Sequence, residues 1–149
     1  MFGSVLICCL YAVSSPAGVQ VLQIDDLASA PASGLSRNDV FLHSEVCVRV
    51  DGQQRSYRLR LEGDQGLGFV LTGDRAADRL PFAVTWDSRT GARESRDAPG
   101  DFGIFDVSDH RCRGDGSLAG VEVRIARHDL EAAKADHYRG RLLIEVSIP

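Results

Sequence analysis

The sequence predicts an all-β sandwich. Three observations carry this: apolar residues recur at every second position in a series of short runs, turn-forming residues separate those runs, and only one short segment has helical composition. A length of 149 residues suits a single domain with one substantial core.

The first seventeen residues carry no charged side chain, and the apolar stretch Val5 to Val13 is too short to span a bilayer. It reads as the core of a signal peptide, with Ser15-Pro16-Ala17 supplying small residues before a cleavage site after Ala17. The expected organisation is a signal peptide over 1–17 and one exported domain over 18–149, with no membrane span in the mature form.

Val19 to Ile24 has strand composition and gives way at Asp25-Asp26 to a loop, Ala28 to Asn38, rich in Ala, Ser, Pro and Gly. Val46, Val48 and Val50 then alternate with polar residues, and after Asp51-Gly52 the run Tyr57, Leu59, Leu61 does the same. Asp-Gly between alternating segments predicts a hairpin. Leu67, Phe69, Leu71 and then Phe82, Val84, Trp86 give two more half-buried strands.

The polar stretch Arg89 to Asp101 predicts a loop or ragged edge, followed by a short apolar patch at Phe102, Ile104 and Phe105. Val121, Val123 and Ile125 alternate after Gly114-Asp115-Gly116. Asp129 to Asp136 is helical in composition but too short to stand alone, and predicts a crossover turn. Leu142, Ile144, Val146 and Ile148 form the final and most apolar run, which nothing later in the sequence covers. A long apolar edge of that kind calls for a pairing partner.

Composition and motifs argue against several functions. The formal net charge is -4 and Lys and Arg are scattered singly, which disfavours nucleic acid. Loss of the signal peptide leaves Cys47 and Cys112, which an exported chain is expected to pair; such a loop contributes about 4 kcal/mol in the chain-entropy model. His43, His110, His128 and His137 lack the spacing of a metal site, and Gly63-Asp64-Gln65-Gly66-Leu67-Gly68 lacks the Lys of a phosphate loop and reads as a turn. Asp25-Asp26 has no apolar pocket to raise a carboxyl pKa and reads as turn chemistry. Arg113-Gly114-Asp115 spells a tripeptide read by animal cell receptors, at a frequency that chance explains. No enzyme activity and no cofactor is expected.

In order along the chain stand Glu45-Val46-Cys47-Val48, Tyr57-Arg58-Leu59, Gly68-Phe69-Val70-Leu71, Leu80-Pro81-Phe82-Ala83-Val84-Thr85-Trp86-Asp87, Cys112, Leu130-Glu131-Ala132-Ala133 and Tyr138-Arg139-Gly140-Arg141-Leu142. From about Ile24 to Pro149 this order resembles the subunits of chaperone-usher fimbriae, especially the archaic class with a spore-coat-U-like domain. The resemblance implies an immunoglobulin-like β-sandwich that lacks its last strand and reaches the cell surface as a structural subunit of a fimbrium. Its implied partners are a periplasmic chaperone, an outer-membrane usher and neighbouring pilus subunits.

Strand addition satisfies a bare row of backbone donors and acceptors while alternate side chains give specificity. Under the resemblance, the acceptor groove lies beside Leu142, Ile144, Val146 and Ile148, and Val19, Val21, Leu22 and Ile24 form the candidate donor strand. A donor extension usually precedes the domain, whereas here Ile24-Asp25-Asp26-Leu27 begins only a few residues after the predicted cleavage site. Val19 to Ile24 therefore also fits the role of the domain's own first strand. In that case a second class of function fits, a stand-alone secreted module that closes its own sheet and binds carbohydrate or protein.

Overall fold

The computed structural model describes residues 19–29, 38–50, 53–75, 78–114, 116–134 and 136–149, with backbone alone for 19–29 and Gln65. The predicted signal peptide, the loop 30–37, the Asp51-Gly52 pair and Asp115 lie outside the described residues.

The described chain forms two antiparallel sheets packed as a sandwich. In the first, β10 (Asp136–Ser147) is central. Along one of its sides run β3 (Ser56–Gly63) and then β4 (Val70–Gly73), joined by a short 3-10 turn, Asp64–Gly66. Beyond them lie β8 (Gly100–Asp106) beside β3 and β5 (Arg79–Pro81) beside β4. On its other side β10 pairs with β1 (Val19–Ser29). The second sheet has the order β2 (Val40–Val48), β9 (Ser117–Ile125), β6 (Ala83–Asp87), β7 (Arg93–Arg96). A short helix, α1 (Arg127–Ala132), carries the chain from β9 in one sheet to β10 in the other, as the crossover expectation required.

The alternation seen in the sequence fills the space between the sheets. Tyr57, Leu59, Leu61, Leu142 and Ile144 enter it from the first sheet and Val46, Val48, Val84, Trp86, Val121, Val123 and Ile125 from the second, each at most 2 % exposed. Burial of this kind is the main favourable term in folding, about 1.5–3 kcal/mol for each large side chain.

Four expectations change. The Asp51-Gly52 segment does not close a hairpin, because β2 pairs with β9 while β3, in the opposite sheet, pairs with β8 and β10. Alternation fixes which face of a strand is buried, and two strands facing one core from opposite sides carry the same pattern as two neighbours. Leu67 is 39 % exposed and precedes β4, its N–H bonded to Asp64 O at the end of the 3-10 turn. The polar stretch after Arg89 contains β7, an edge strand with no apolar residue, held to β6 by backbone pairing and invisible to hydrophobic periodicity.

The fourth change is at Phe102, Ile104 and Phe105. Leu59 pairs with Gly103 and Arg60 with Asp101, so Phe102 is an extra residue and the strand carries a β-bulge. The bulge lets Phe102 and Phe105, three apart, both face the core, and leaves Ile104 54 % exposed. Gly103 has φ 110°, and its N–H is held by Asp101 Oδ1 at 2.8 Å; Asp101 Oδ2 accepts from Arg58 at 2.6 Å. These two bonds, the backbone one first, hold the Asp101 carboxyl below its ordinary pKa.

The expected disulfide is present. Cys47 and Cys112 are joined with their Cα atoms 5.8 Å apart, tying the end of β2 to the loop between β8 and β9. Gly116 packs against both sulfurs: a Cβ there would lie 2.7 Å from Cys112 Sγ and closer still to Cys47 Sγ.

Candidate functional site

Strand β10 is the longest among the described residues, and its burial alternates without a break from Asp136 to Ser147. Its inward row is Asp136, Tyr138, Gly140, Leu142, Ile144 and Val146. The strand starts at a polar anchor: Asp136, 8 % exposed, accepts the Arg75 N–H at 2.7 Å and the His137 N–H at 2.8 Å. The Tyr138 hydroxyl donates to Lys134 O at 2.8 Å, fixing β10 to the segment that follows α1. Burial, then the nearby charges of Asp78 and Asp136, raise the Tyr138 hydroxyl above the ordinary phenol pKa. Gly140 allows close approach to β4, since a Cβ there would lie 2.7 Å from Leu71 Cδ2 and 3.1 Å from Val70 O.

Of the four residues expected along the acceptor strand, Leu142 and Ile144 are fully buried and Val146 nearly so. Ile148 lies beyond the end of β10 and is 59 % exposed. The last residue of β10 to pair is Ser147, opposite Arg58, so nothing holds the chain in the sheet past that point. The apolar run in the sequence is thus one residue pair longer than the strand's useful face.

The outer side of β10 is occupied by β1 of the same chain. Register pairs run from Val19 opposite Glu145 to Ser29 opposite Asp136, so the N-terminal strand extends five residues past Ile24. Leu22 is paired with Leu142 and Ile24 with Gly140, both positions on the inward row of β10. Val19 and Val21, by contrast, are paired with Glu145 and Leu143, which alternate with that row. The expected donor residues therefore fall on two different rows, and the register places Gln20, Leu22, Ile24 and Leu27 together.

The register shifts by one between Ile24 and Leu27, leaving Asp25 and Asp26 opposite the single residue Arg139. The acidic pair that reads as a turn in the sequence is instead a β-bulge within the strand. A bulge brings residues three apart onto one row, here Ile24 and Leu27 opposite Gly140 and Tyr138. The spacing of those two apolar residues around Asp-Asp was the available signal for it.

What this site can do chemically is exchange backbone hydrogen bonds. Without β1, the outer N–H and C=O groups of β10 from Asp136 to Glu145 would have no strand beside them. Among the described residues the histidines form only a His43–Glu122 pair and a His128–Asp129 pair, both 3.3 Å and solvent-facing at the histidine. Among the same residues no three metal-ligating side chains converge, and no helix is long and apolar enough to cross a membrane. Arg113 and Gly114 sit on an exposed turn beside the disulfide.

Comparison of the chain with protein-family models, with curated proteins and with solved structures finds no match to any of them.

Proposed function

We propose that the protein is a non-enzymatic structural subunit of an exported surface assembly of the chaperone-usher type, joined to its neighbours by strand exchange along β10. The observation that carries this is the attachment of β1: a strand paired antiparallel down nearly the whole outer side of β10 and, among the described residues, with no other strand. A strand held by one seam can be supplied by its own chain or by another copy with the same hydrogen bonds. On this reading the sandwich is immunoglobulin-like and lacks one strand of its own, and Val19–Ser29 is the segment passed to a neighbouring subunit. Export through a periplasm, a chaperone that covers the bare edge and an outer-membrane usher follow from it.

The same seam also favours a second reading. Because β1 closes the sheet within one chain, a stand-alone secreted binding module would need no partner strand.

Expression of the exported form with and without a candidate periplasmic chaperone separates the two. The assembly reading expects chaperone-dependent solubility, a chaperone complex by native mass, and uptake of a synthetic 19–29 strand by chains lacking that segment. A stable, disulfide-bonded monomer that forms without the chaperone and takes up no strand would sink it in favour of the stand-alone module.

A further inference from the structure

Arginines that are scattered in sequence are brought together at one end of the sandwich. The loops after β2 and after β8 bound an open cleft of about 1330 Å³, lined by Arg49, Arg55 and Arg111 together with Gln53, Gln54, Asp106 and Asp109. Arg113 is exposed on the adjoining turn. Eight other arginines hold ion pairs, among them Arg58 with Asp101 and Arg127 with Glu131. Among the described residues Arg49, Arg55, Arg111 and Arg113 hold none, so their guanidinium groups keep their full donor capacity for a ligand.

The loops that carry them are braced. Cys47 stands two residues before Arg49, and Cys112 stands between Arg111 and Arg113, so the disulfide clamps the arginine-bearing segments to each other. Val107 N–H bonds to Arg55 O at 2.8 Å, Leu118 N–H to His110 O at 2.7 Å and Cys112 N–H to Gly116 O at 3.1 Å. Groups held in place before binding lose less freedom when a ligand arrives.

We propose that this disulfide-braced end is a binding site for an acidic polysaccharide, one carrying carboxylate or sulfate groups on hydroxyl-bearing rings. Arginine forks match both anions in geometry. Asp106 and Asp109 on the lining make the cleft a poor site for a bare polyanion and a better one for a ligand that also donates hydroxyl hydrogens. The cleft stands apart from the strand-exchange seam, since β1 and β10 contribute no residue to its lining.

The test is calorimetric titration of the intact exported domain with dextran sulfate, polygalacturonate and neutral dextran at low salt. The expected result is binding of at least one acidic polymer, none of dextran, and weakening as salt rises. The double variant Arg49→Gln/Arg111→Gln should lose about 30-fold or more in affinity, on the order of two charge-assisted hydrogen bonds. Arg75→Gln/Arg79→Gln removes the same charge from the β4–β5 end and should bind as the parent does. Selective binding of dextran sulfate or of polygalacturonate identifies the anion. Absence of binding to both acidic polymers, equal binding of dextran, or equal losses in the two double variants overturns the proposal. The formal net charge of -4 makes the last comparison decisive, because the chain as a whole repels a polyanion.

Discussion

The indole N–H of Trp86 donates a 3.0 Å hydrogen bond to the phenol oxygen of Tyr57, joining the two sheets through the buried core. The rings meet edge to face with centroids 6.3 Å apart, and Tyr57 also stacks on Phe105 at 6.1 Å. Trp86 is fully buried, so its donor has no water to turn to. Tyr57→Phe keeps the packing and removes the acceptor, and should cost about 1–3 kcal/mol in denaturant unfolding. An unchanged midpoint would show that the indole finds another acceptor.

The same tyrosine makes stability fall at high pH. Burial pushes the Tyr57 hydroxyl up to about 12, against the opposing effect of the Trp86 bond. A pKa raised in the folded state means that its contribution is intact below about pH 10 and is lost as pH rises toward 12. The loss is of order 2–3 kcal/mol. Unfolding curves from pH 8 to 12 should fall more steeply for the parent than for Tyr57→Phe, and phenolate absorbance should lose its latest phase in the variant.

The disulfide spans a separation of 65 residues, and removing it should cost about 4 kcal/mol by loss of chain constraint. Gly116→Ala probes the same place by packing, because the added Cβ meets both sulfurs. The expected outcome is a lower yield of oxidised protein, or a midpoint lowered by about 1–3 kcal/mol as for other overpacked sites. Thiol titration and unfolding with and without reductant read both effects.

At Asp101 the sign is opposite to that at Tyr57. Its pKa is depressed, so the contribution is present above the ordinary carboxylate range and fades as pH falls through the lower folded value. Asp101→Asn should flatten the acid limb of the stability curve and loosen the bulge at Phe102, read as faster amide exchange at Gly103.

What the sequence made legible follows from what produces alternation. Val46, Val84, Trp86, Val121 and Leu142 are all buried as the period-two pattern requires, because burial on one face is what that pattern encodes. Strand partners were not legible: Asp51-Gly52 carries the local chemistry of a hairpin, and only packing decides that its flanking strands lie in different sheets. Strand β7 and the two bulges were hidden for a related reason. The first has no apolar residue and is held by backbone pairing and polar contacts such as that of Ser95 with Thr85, and the bulges break the period at Phe102 and at Asp25-Asp26, so apolar residues three apart look like noise. The seam between β1 and β10 was legible in its members and not in its register, since Val19 and Val21 are as apolar as Leu22 and Ile24.

That register can be tested by two single-residue deletions. Removing Asp26 takes one residue out of the bulge, so Leu22 can stay opposite Leu142, Ile24 opposite Gly140 and Leu27 opposite Tyr138 in regular pairing. Removing Gln23 instead leaves one residue between Leu22 and the bulge where there were two. Either Ile24 moves off Gly140 or the first half of the strand slides by one, and a one-residue slip exchanges the two faces. The Asp26 deletion should therefore change stability by less than about 1 kcal/mol, while the Gln23 deletion should cost on the order of 2 kcal/mol through misplaced apolar residues. Amide exchange along 136–145 of β10 reads the seam directly: protection should persist in the first variant and fall in the second. Equal behaviour of the two would mean that the pairing of β1 with β10 is not set by the rows Leu22, Ile24 and Leu27 occupy, and that the strand is held by backbone bonds without a fixed register.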